Sequence, residues 1–489
     1  MSPSRTPVGG VMLPLLLMAL VFAWRLWVAW HNPLPLYVDE AYYWTWAQHL
    51  DWGYYSKPPV IAWAIAASTA LCGDGEACVR ASPLLAYPLT TALVFAGARR
   101  LFAAPVAAWA AAVFYTLPAV ALSSLVISTD VFLLLCWALA LYAFLRARET
   151  DAWRHWLLLG AALGLGMMSK YTMVIFPLSA LVYLLSERGA RPLLWSARAW
   201  TAVALGALLF LPNLWWNWRH GFPTLQHTAE ISNLSHAGLY WSELGEFLGG
   251  QFLVFGPVAF GVLLYLLLAR VPTLWRERRY WLLACFTVPM LAVISAQALF
   301  GRANANWAAT AYVAASVLVT AWLLRAGHRR WLAALLVANL ALMATVYHYP
   351  TLLRLTDTAL TSHNDPFKRL RGWRELNAAV ARWRERHPEA LLLADRRDIL
   401  SELAYYQRPA PVLSWNPDHA LRHHFDLTTD LTRHRGRDFL YVSRRPPPPA
   451  MAARFARVEP LAVVDIPAWP DRHLRFHITL LHDFRGYAP

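Results

Sequence analysis

The chain has 489 residues, of which 58% are hydrophobic and 15% are charged, and its formal net charge is +15 at pH 7. Soluble domains carry about a quarter charged residues, so this composition excludes an ordinary soluble globule and indicates a membrane protein. The positive charge does not indicate nucleic-acid binding, because the arginines are concentrated in short loops and in the C-terminal tail, and no basic nucleic-acid-binding motif is found. Such cations are typical of loops that set membrane topology and meet anionic lipid.

Apolar runs of spanning length recur through the first 348 residues and are predicted to be transmembrane helices. In chain order they are residues 11–30, 81–98, 103–122, 131–145, 156–168, 172–185, 200–216, 252–269, 281–300, 303–324 and 331–347. The first run ends at HNPLP without a small-residue cleavage site, so it is predicted to be a retained anchor. We expect an α-helical polytopic membrane protein with about 11–13 transmembrane helices.

The basic residues divide the loops into two sets. One set is rich in arginine and is predicted to be cytoplasmic. It holds Arg5, Arg99, Arg100, Arg146, Arg148, Arg154, Arg188, Arg191, Arg198, Arg270, Arg276, Arg278, Arg279, Arg325, Arg329 and Arg330. The opposite set holds Lys57, Arg80, Lys170, Arg219 and Arg302 and is predicted to lie on the non-cytoplasmic side of the membrane. The short apolar run at residues 59–71 is predicted to lie at the outer interface, with two extra crossings as the alternative.

The tail has ordinary charge density and no spanning run. This predicts a division into residues 1–348, with an outer loop at 31–80, and a small α/β domain at 349–489 on the non-cytoplasmic side. Within the tail, helices are predicted at residues 369–387 and 399–406 and strands at 391–395, 439–443, 460–466 and 474–482. In the outer loop, Cys72 and Cys78 flank GDGEA, so a disulfide between them is an open alternative.

The stretch at residues 37–59 combines an acidic pair, Asp39 and Glu40, with Lys57 and many aromatic rings. It is predicted to be an active-site segment at the membrane surface. The rings proposed to line the substrate site are Tyr42, Tyr43, Tyr54 and Tyr55. The structural alternatives are that Asp39 and Glu40 stabilise a helix N-terminus and that the rings form an interfacial belt.

Further polar residues lie at the predicted outer ends of the helices, where ionisable groups are costly and therefore functional candidates. They are Asp130, Lys170, Arg219, His220, Arg302, Asn304 and Asn306. An N-cap role for Asp130 and interfacial anchoring by the long cations are the alternatives. A carboxylate can act as a general base on an acceptor hydroxyl, and lysine or arginine can stabilise a leaving phosphate. This combination predicts glycosyl transfer from a lipid phosphate.

Several motifs together resemble the GT-C type of integral-membrane glycosyltransferase, and more narrowly the bacterial branch of the protein O-mannosyltransferase superfamily, to which the aminoarabinose transferase of lipid A belongs. They are VDEAYYW, GYYSKPP, STD, MSKYT and WNWRHGF. The resemblance implies a polyprenyl-phosphate-sugar donor, with Asp39 as catalytic carboxylate and Asp130 as second acid. It also implies that Lys57 and Lys170 lie near the donor phosphate, and that Arg219 and His220 belong to a basic cluster.

Two positions depart from the family pattern. Ser56 precedes Lys57 where lipid A enzymes tend to carry an acid, which leaves a divalent metal undecided, and SKYT replaces the more usual TKG. The predicted function is an inverting transfer of a sugar from a polyprenyl-phosphate donor to lipid A, lipopolysaccharide core or another envelope glycan. A protein O-mannosyltransferase-like enzyme with a protein acceptor and a lipid-linked glycan flippase are the alternatives. No other cofactor is expected, and the protein is expected to contact membrane lipid.

Overall fold

The computed structural model describes residues 9–32, 34–232 and 238–487 and consists mostly of helices. The chain divides into two compact units. The membrane unit comprises residues 1–31, 57–64 and 80–348, and the second unit comprises residues 32–56, 65–79 and 349–489. The stretch at 32–56 therefore groups with the tail and not with the helices that flank it. Arg5 of the predicted cytoplasmic set lies outside the described residues.

The membrane unit is built from helices joined by short turns. Its α-helices are Gly9–Trp30, Ala81–Leu101, Ala104–Tyr115, Pro118–Ser123, Thr129–Thr150, Trp153–Ser169, Ile175–Ser186, Ala197–Arg219, Pro223–Ser232, Trp241–Val254, Pro257–Ala269, Val271–Arg276, Arg278–Cys285, Val288–Phe300, Ala311–Arg325 and Arg329–Tyr347. Short 3-10 helices are Tyr171–Val174, Arg188–Trp195 and Ala305–Ala308. The helix Val60–Cys72 contributes residues to both units.

Within the described residues, 6 helices are long and apolar enough to cross a membrane, or 7 if one bent pair counts as a span. Other apolar helices, such as Ala104–Tyr115 and Ala311–Arg325, are shorter. The helix Ala311–Arg325 is buried at every position from Ala311 to Leu323, as expected for a helix that is apolar all round and surrounded by others. The multi-pass helical fold is confirmed, whereas the count of about 11–13 crossings stays a prediction.

Two predicted spans are interrupted beside a proline. The run at 103–122 breaks at Leu117, directly before Pro118. The run at 252–269 contains the break between the helices Trp241–Val254 and Pro257–Ala269, which are bent by 119°. At that bend Gly256 has φ +94°, a conformation that favours glycine, and Pro257 then starts the next helix.

The second unit contains a five-stranded mixed sheet. Its strands are β1 (Leu391–Ala394), β2 (Val412–Ser414), β3 (Phe439–Ser443), β4 (Phe455–Trp469) and β5 (Arg472–Phe484), in the order β2-β1-β3-β5-β4. Strand β1 pairs in parallel with β2 and β3, while β5 runs antiparallel to β3 and β4. The predicted small α/β tail is confirmed. Strand β2, with only three residues, was not predicted because it is too short to show a periodic pattern.

Helices complete the second unit. They are Val38–Ala47, Glu76–Val79, Tyr349–Leu355, Trp373–Arg386, Arg397–Tyr406, Phe425–Thr428 and Pro449–Ala452, with 3-10 turns at Lys368–Leu370 and Leu431–His434. The helix Trp373–Arg386 buries Trp373, Leu376 and Val380 on one face, which is the amphipathic pattern that its sequence predicts.

The loop between Cys72 and Cys78 is part of the second unit. The two cysteines form a disulfide with their Cα atoms 5.9 Å apart, which decides the alternative that the sequence left open. Glu76 in this loop accepts hydrogen bonds from Arg374 Nη2 at 2.5 Å and from the Tyr406 hydroxyl at 2.6 Å. Asp74 accepts from the Trp44 indole at 2.7 Å. These bonds join the outer loop to the helices of the tail.

Candidate active site

Asp39 lies in the first turn of the helix Val38–Ala47 in the second unit. Its Oδ1 accepts a hydrogen bond from Arg397 Nη1 at 2.6 Å, and both side chains remain partly exposed. Burial disfavours the charged guanidinium and lowers the pKa of Arg397. Attraction to the Asp39 carboxylate raises it by more, so the pKa of Arg397 lies above its ordinary value. A cation is therefore held beside the carboxylate that the family resemblance places at the centre of the chemistry.

Glu40 has a different position from its neighbour. Its side chain is fully buried, and Oε2 accepts a hydrogen bond from the backbone N–H of Tyr37 at 2.8 Å. Tyr37 is the N-cap residue of the helix Val38–Ala47 and Glu40 is its third residue, so the carboxylate occupies the acidic position of a capping box. This contact gives Glu40 a structural role in starting the helix that carries Asp39.

We expect substitutions at Glu40 to affect stability more than chemistry. Glu40→Ala removes the acceptor of the partly buried Tyr37 N–H and should cost about 1–2 kcal/mol, measured as a lower melting temperature of the purified protein. Glu40→Gln keeps an acceptor oxygen and should retain sugar transfer within about tenfold of the native rate, because an amide can still cap. Loss of transfer in a folded Glu40→Gln protein would instead assign Glu40 to the reaction.

The four tyrosines expected to line the substrate site lie in the interior of the second unit. Tyr42 and Tyr54 are fully buried, and Tyr43 and Tyr55 are 6% and 4% exposed. Tyr54 stacks on Trp46 with ring centres 4.7 Å apart, and its hydroxyl donates to the Trp46 carbonyl. The Tyr42 hydroxyl accepts from the backbone N–H of His424. Tyr42 and Tyr43 are part of the helix that carries Asp39, so the buried rings pack this helix into the second unit.

A second cluster of candidates lies in the membrane unit. Lys170 Nζ donates to Asp130 Oδ1 at 2.6 Å, and Asn306 Nδ2 donates to the other oxygen at 2.7 Å. The lysine and aspartate side chains are 14% and 9% exposed. Asp130 lies in the first turn of the helix Thr129–Thr150, but its carboxylate faces Lys170 and Asn306. Because charge-assisted hydrogen bonds strengthen away from water, Asp130 holds the lysine ammonium in one place.

Lys170 lies in a break between two helical segments. The helix ends at Ser169, Lys170 has extended backbone with φ −163° and ψ 135°, and a 3-10 turn follows. The next residue, Tyr171, donates its hydroxyl to Asn213 Oδ1 at 2.8 Å and accepts from Asn217 Nδ2 at 3.1 Å. These buried amides on the helix Ala197–Arg219 secure the turn that presents the lysine.

The other candidates make local contacts. Arg219 lies in the last turn of its helix, with its guanidinium 5.0 Å from the centre of the Trp215 ring, and His220 stacks on Trp216 at 4.2 Å. The backbone N–H of Arg302 donates to the Ser232 carbonyl, and Asn304 precedes the 3-10 turn Ala305–Ala308. Four of these candidates are exposed, namely Arg219, His220, Arg302 and Asn304. Lys57 is half-buried in the membrane unit.

No metal centre is evident in the part of the chain that the structure describes, where no group of three or more His, Cys, Asp or Glu side chains could hold a metal ion. The sequence left a divalent metal undecided, and we derive no step through one.

Arg397 was not among the site residues predicted from the sequence. A recognisable signal was present, since the segment Asp395–Arg396–Arg397–Asp398 directly follows the buried strand β1. Charged residues at the carboxyl end of a parallel strand mark a common location for ligand-binding groups.

Comparison with known proteins agrees with these features. Residues 56–216 match the family model of the dolichyl-phosphate-mannose-protein mannosyltransferases. The lipid A galacturonosyltransferase RgtD of Rhizobium johnstonii is 33% identical over 393 residues, which cover 79% of this chain and 81% of RgtD.

Solved structures show the same fold. ArnT from Cupriavidus metallidurans in the apo state aligns over 94% of this chain and 97% of ArnT, with a TM-score of 0.62 and 17% sequence identity. The structure of that ArnT bound to undecaprenyl phosphate aligns over 97% of this chain and 98% of ArnT, with a TM-score of 0.63 and 16% identity. The fold class is thereby confirmed, and RgtD together with the family model confirms the enzyme class and the family resemblance drawn from the motifs. This chain belongs to the same family as RgtD and is a multi-pass membrane glycosyltransferase of the GT-C type.

Proposed function

We propose that this enzyme transfers a sugar from a polyprenyl-phosphate donor to lipid A or to the lipopolysaccharide core. The observation that carries the proposal is the Lys170 ammonium, which donates to Asp130 Oδ1 at 2.6 Å, while Asn306 Nδ2 donates to Asp130 Oδ2 at 2.7 Å. The fold around this group is shared with ArnT bound to undecaprenyl phosphate. The name of RgtD supports lipid A as the acceptor and galacturonic acid as the first sugar to test.

The proposed reaction is a single displacement with inversion. Asp39 accepts the proton of the acceptor hydroxyl while that oxygen forms a bond to the anomeric carbon of the sugar. The bond between the anomeric carbon and the phosphate oxygen breaks, and the polyprenyl phosphate leaves with the bonding electrons. Lys170 stabilises the negative charge that develops on the phosphate, with Lys57 and Arg302 as further proposed phosphate ligands and Arg219 and His220 as an outer basic pair.

A transfer assay tests this proposal. Purified protein in lipid nanodiscs is incubated with lipid A and with undecaprenyl-phosphate-linked galacturonic acid, mannose or aminoarabinose, and the lipid product is analysed by mass spectrometry. The expected result is a lipid A product carrying one added sugar, formed from one of these donors. Transfer to a protein acceptor instead of lipid A would favour a mannosyltransferase-like role. Movement of the intact donor across the bilayer without transfer would favour a flippase.

The proposed orientation places the second unit in the periplasm of a bacterial inner membrane. Because arginine-rich loops stay in the cytoplasm, reporter fusions after Arg100, Arg154 and Arg330 should give cytoplasmic signals, and fusions after Lys57 and Pro366 should give periplasmic signals. Paired fluorescent-protein and alkaline-phosphatase fusions measure this. A cytoplasmic signal at Pro366 would contradict the proposed orientation, because Arg397, the partner of Asp39, would then lie on the side of the membrane away from the proposed acceptor.

A further inference from the structure

A large cavity of about 1140 Å³ opens within the second unit. Its walls come from residues 368–373, 395–398, 441–448 and 469–474, with Tyr37 and Val38 at one end. The candidate residues chosen from the sequence do not line this cavity, so the reaction proposed above leaves it unexplained.

The cavity lies where the sheet topology favours a ligand site. Residues 395–398 follow the carboxyl end of β1, and Arg444 and Arg445 follow the carboxyl end of β3. From β1 the chain passes to β2 on one side, and β3 pairs with β1 on the other side. The strand order therefore reverses at this point, and open α/β sheets bind ligands in the crevice that such a reversal creates.

The lining is strongly positive. Eight basic residues and two acidic residues face the cavity. The basic residues are Lys368, Arg369, Arg371, Arg396, Arg397, Arg444, Arg445 and Arg472, and the acidic residues are Asp395 and Asp398. Low-dielectric walls around charges of one sign concentrate the field, so this lining attracts anions.

The carboxylates of the cavity do not balance these cations. Asp398 is shared by Arg396 at 3.1 Å and Arg444 at 3.5 Å. Among the described residues, the exposed Arg445 and Arg472 have no carboxylate partner within 4.0 Å. Burial, together with repulsion from Arg396 and Arg472, lowers the pKa of Arg444 despite the nearby Asp398. A bound anion would relieve this repulsion, whereas a neutral ligand would not.

The size and the guanidinium groups of the cavity indicate a ligand with several anionic groups. Trp373, Tyr441 and Trp469 also line the cavity, but they are only 3%, 1% and 5% exposed and offer little ring surface to a ligand. The planar guanidinium groups of arginine bind phosphate or carboxylate through paired hydrogen bonds. The volume exceeds what a single phosphate needs and is in the range of a drug-sized or larger ligand. The chemistry therefore fits a headgroup with more than one anionic substituent.

Arg397 connects this cavity to the proposed reaction, because it lines the cavity and also donates to Asp39 at 2.6 Å. We propose that the arginine-lined cavity of the second unit binds the phosphate or carboxylate groups on the sugar headgroup of the glycolipid acceptor. This inference rests on the proposed function and names the part of the chain that recognises its acceptor.

A binding experiment without donor tests the inference separately from transfer. Native mass spectrometry of the full-length protein in nanodiscs measures binding of bisphosphorylated lipid A, of chemically dephosphorylated lipid A and of inorganic pyrophosphate. The test variant is Arg445→Glu with Arg472→Glu, since neither exposed residue would leave a buried carboxylate unpaired. The variant that keeps the positive charge is Arg445→Lys with Arg472→Lys. The charge-matched control is Arg382→Glu with Arg457→Glu, two exposed positions of the same unit outside the cavity.

We expect the native protein to bind bisphosphorylated lipid A at least about tenfold more tightly than either dephosphorylated lipid A or pyrophosphate. The Glu variant should lose at least about tenfold in that affinity, and the control should stay within about threefold. The Lys variant should lose less than the Glu variant, because it keeps the positive charge but not the paired hydrogen bonds. Unchanged lipid A binding in the folded Glu variant would overturn the inference, as would equal binding of phosphorylated and dephosphorylated lipid A. Equal affinity for pyrophosphate and lipid A would overturn the assignment to a glycolipid and indicate a site for free anions.

The transfer assay separates the two proposals. If the native protein binds lipid A through this cavity but transfers no sugar to it, the proposed function fails and the cavity assignment stands. If the native protein transfers sugar and the Glu variant keeps the native KM for lipid A, the cavity assignment fails and the proposed function stands.

Discussion

Asp39→Asn should reduce sugar transfer by about 10²–10⁴-fold while the protein remains folded, because general base catalysis contributes an effect of that size. The substitution is nearly isosteric. An asparagine Oδ1 can still accept the hydrogen bond that Arg397 donates at 2.6 Å, so the contact between the two elements is kept and the basic oxygen is lost. The measurement is the initial rate of product formation at saturating donor and acceptor, with the melting temperature as a check of folding.

Asp51→Asn is the matched control for this experiment. Asp51 belongs to the same stretch and is exposed, and its Oδ1 accepts from the backbone N–H of Trp52 at 2.7 Å. It should keep the native rate within about threefold, because surface substitutions away from special features have small effects. Native-like transfer by a folded Asp39→Asn protein would remove Asp39 from the proposed mechanism and leave the contact with Arg397 as its role.

Lys170→Met should have the second large effect, on both stability and transfer. It leaves Asp130 as an uncompensated carboxylate that is 9% exposed. Removing one member of a buried ion pair costs about 3–5 kcal/mol, so the melting temperature should fall markedly. Transfer should fall by at least about 100-fold if the ammonium also stabilises the leaving phosphate. Lys170→Arg, which keeps the charge, should lose less in both measurements.

The double variant Asp130→Asn with Lys170→Met distinguishes the two roles of the lysine. Replacing both members of a buried pair with neutral groups is often close to neutral in stability, so the melting temperature should recover toward the native value. Transfer should not recover, because the phosphate still lacks its cation. Recovery of both properties would mean that Lys170 serves only to neutralise Asp130 and takes no direct part in the reaction.

The positions of the helices and strands follow largely from local patterns. Long apolar runs without charges predict helices, and most of the predicted spans coincide with helices that the structure contains, such as Gly9–Trp30 and Arg329–Tyr347. In the tail, the alternating and buried runs predict β1, β3, β4 and β5 in the correct places. The two interruptions of the predicted spans have local causes as well. Proline and glycine break the helices at Pro118 and Gly256, although the hydropathy of the two runs continues across these residues.

The sequence by itself determined the class of protein and supplied a set of candidate acids and cations, because composition, periodicity and short motifs are properties of neighbouring residues. Only the tertiary structure decided which groups meet. Asp39 and Arg397 are 358 positions apart, and Asn306 reaches Asp130 across 176 positions. Such contacts depend on how whole elements pack. The arginine-lined cavity also depends on this packing. Its cations are scattered along the sequence, and the pairing of β1 with β3 brings the segments that carry several of them together.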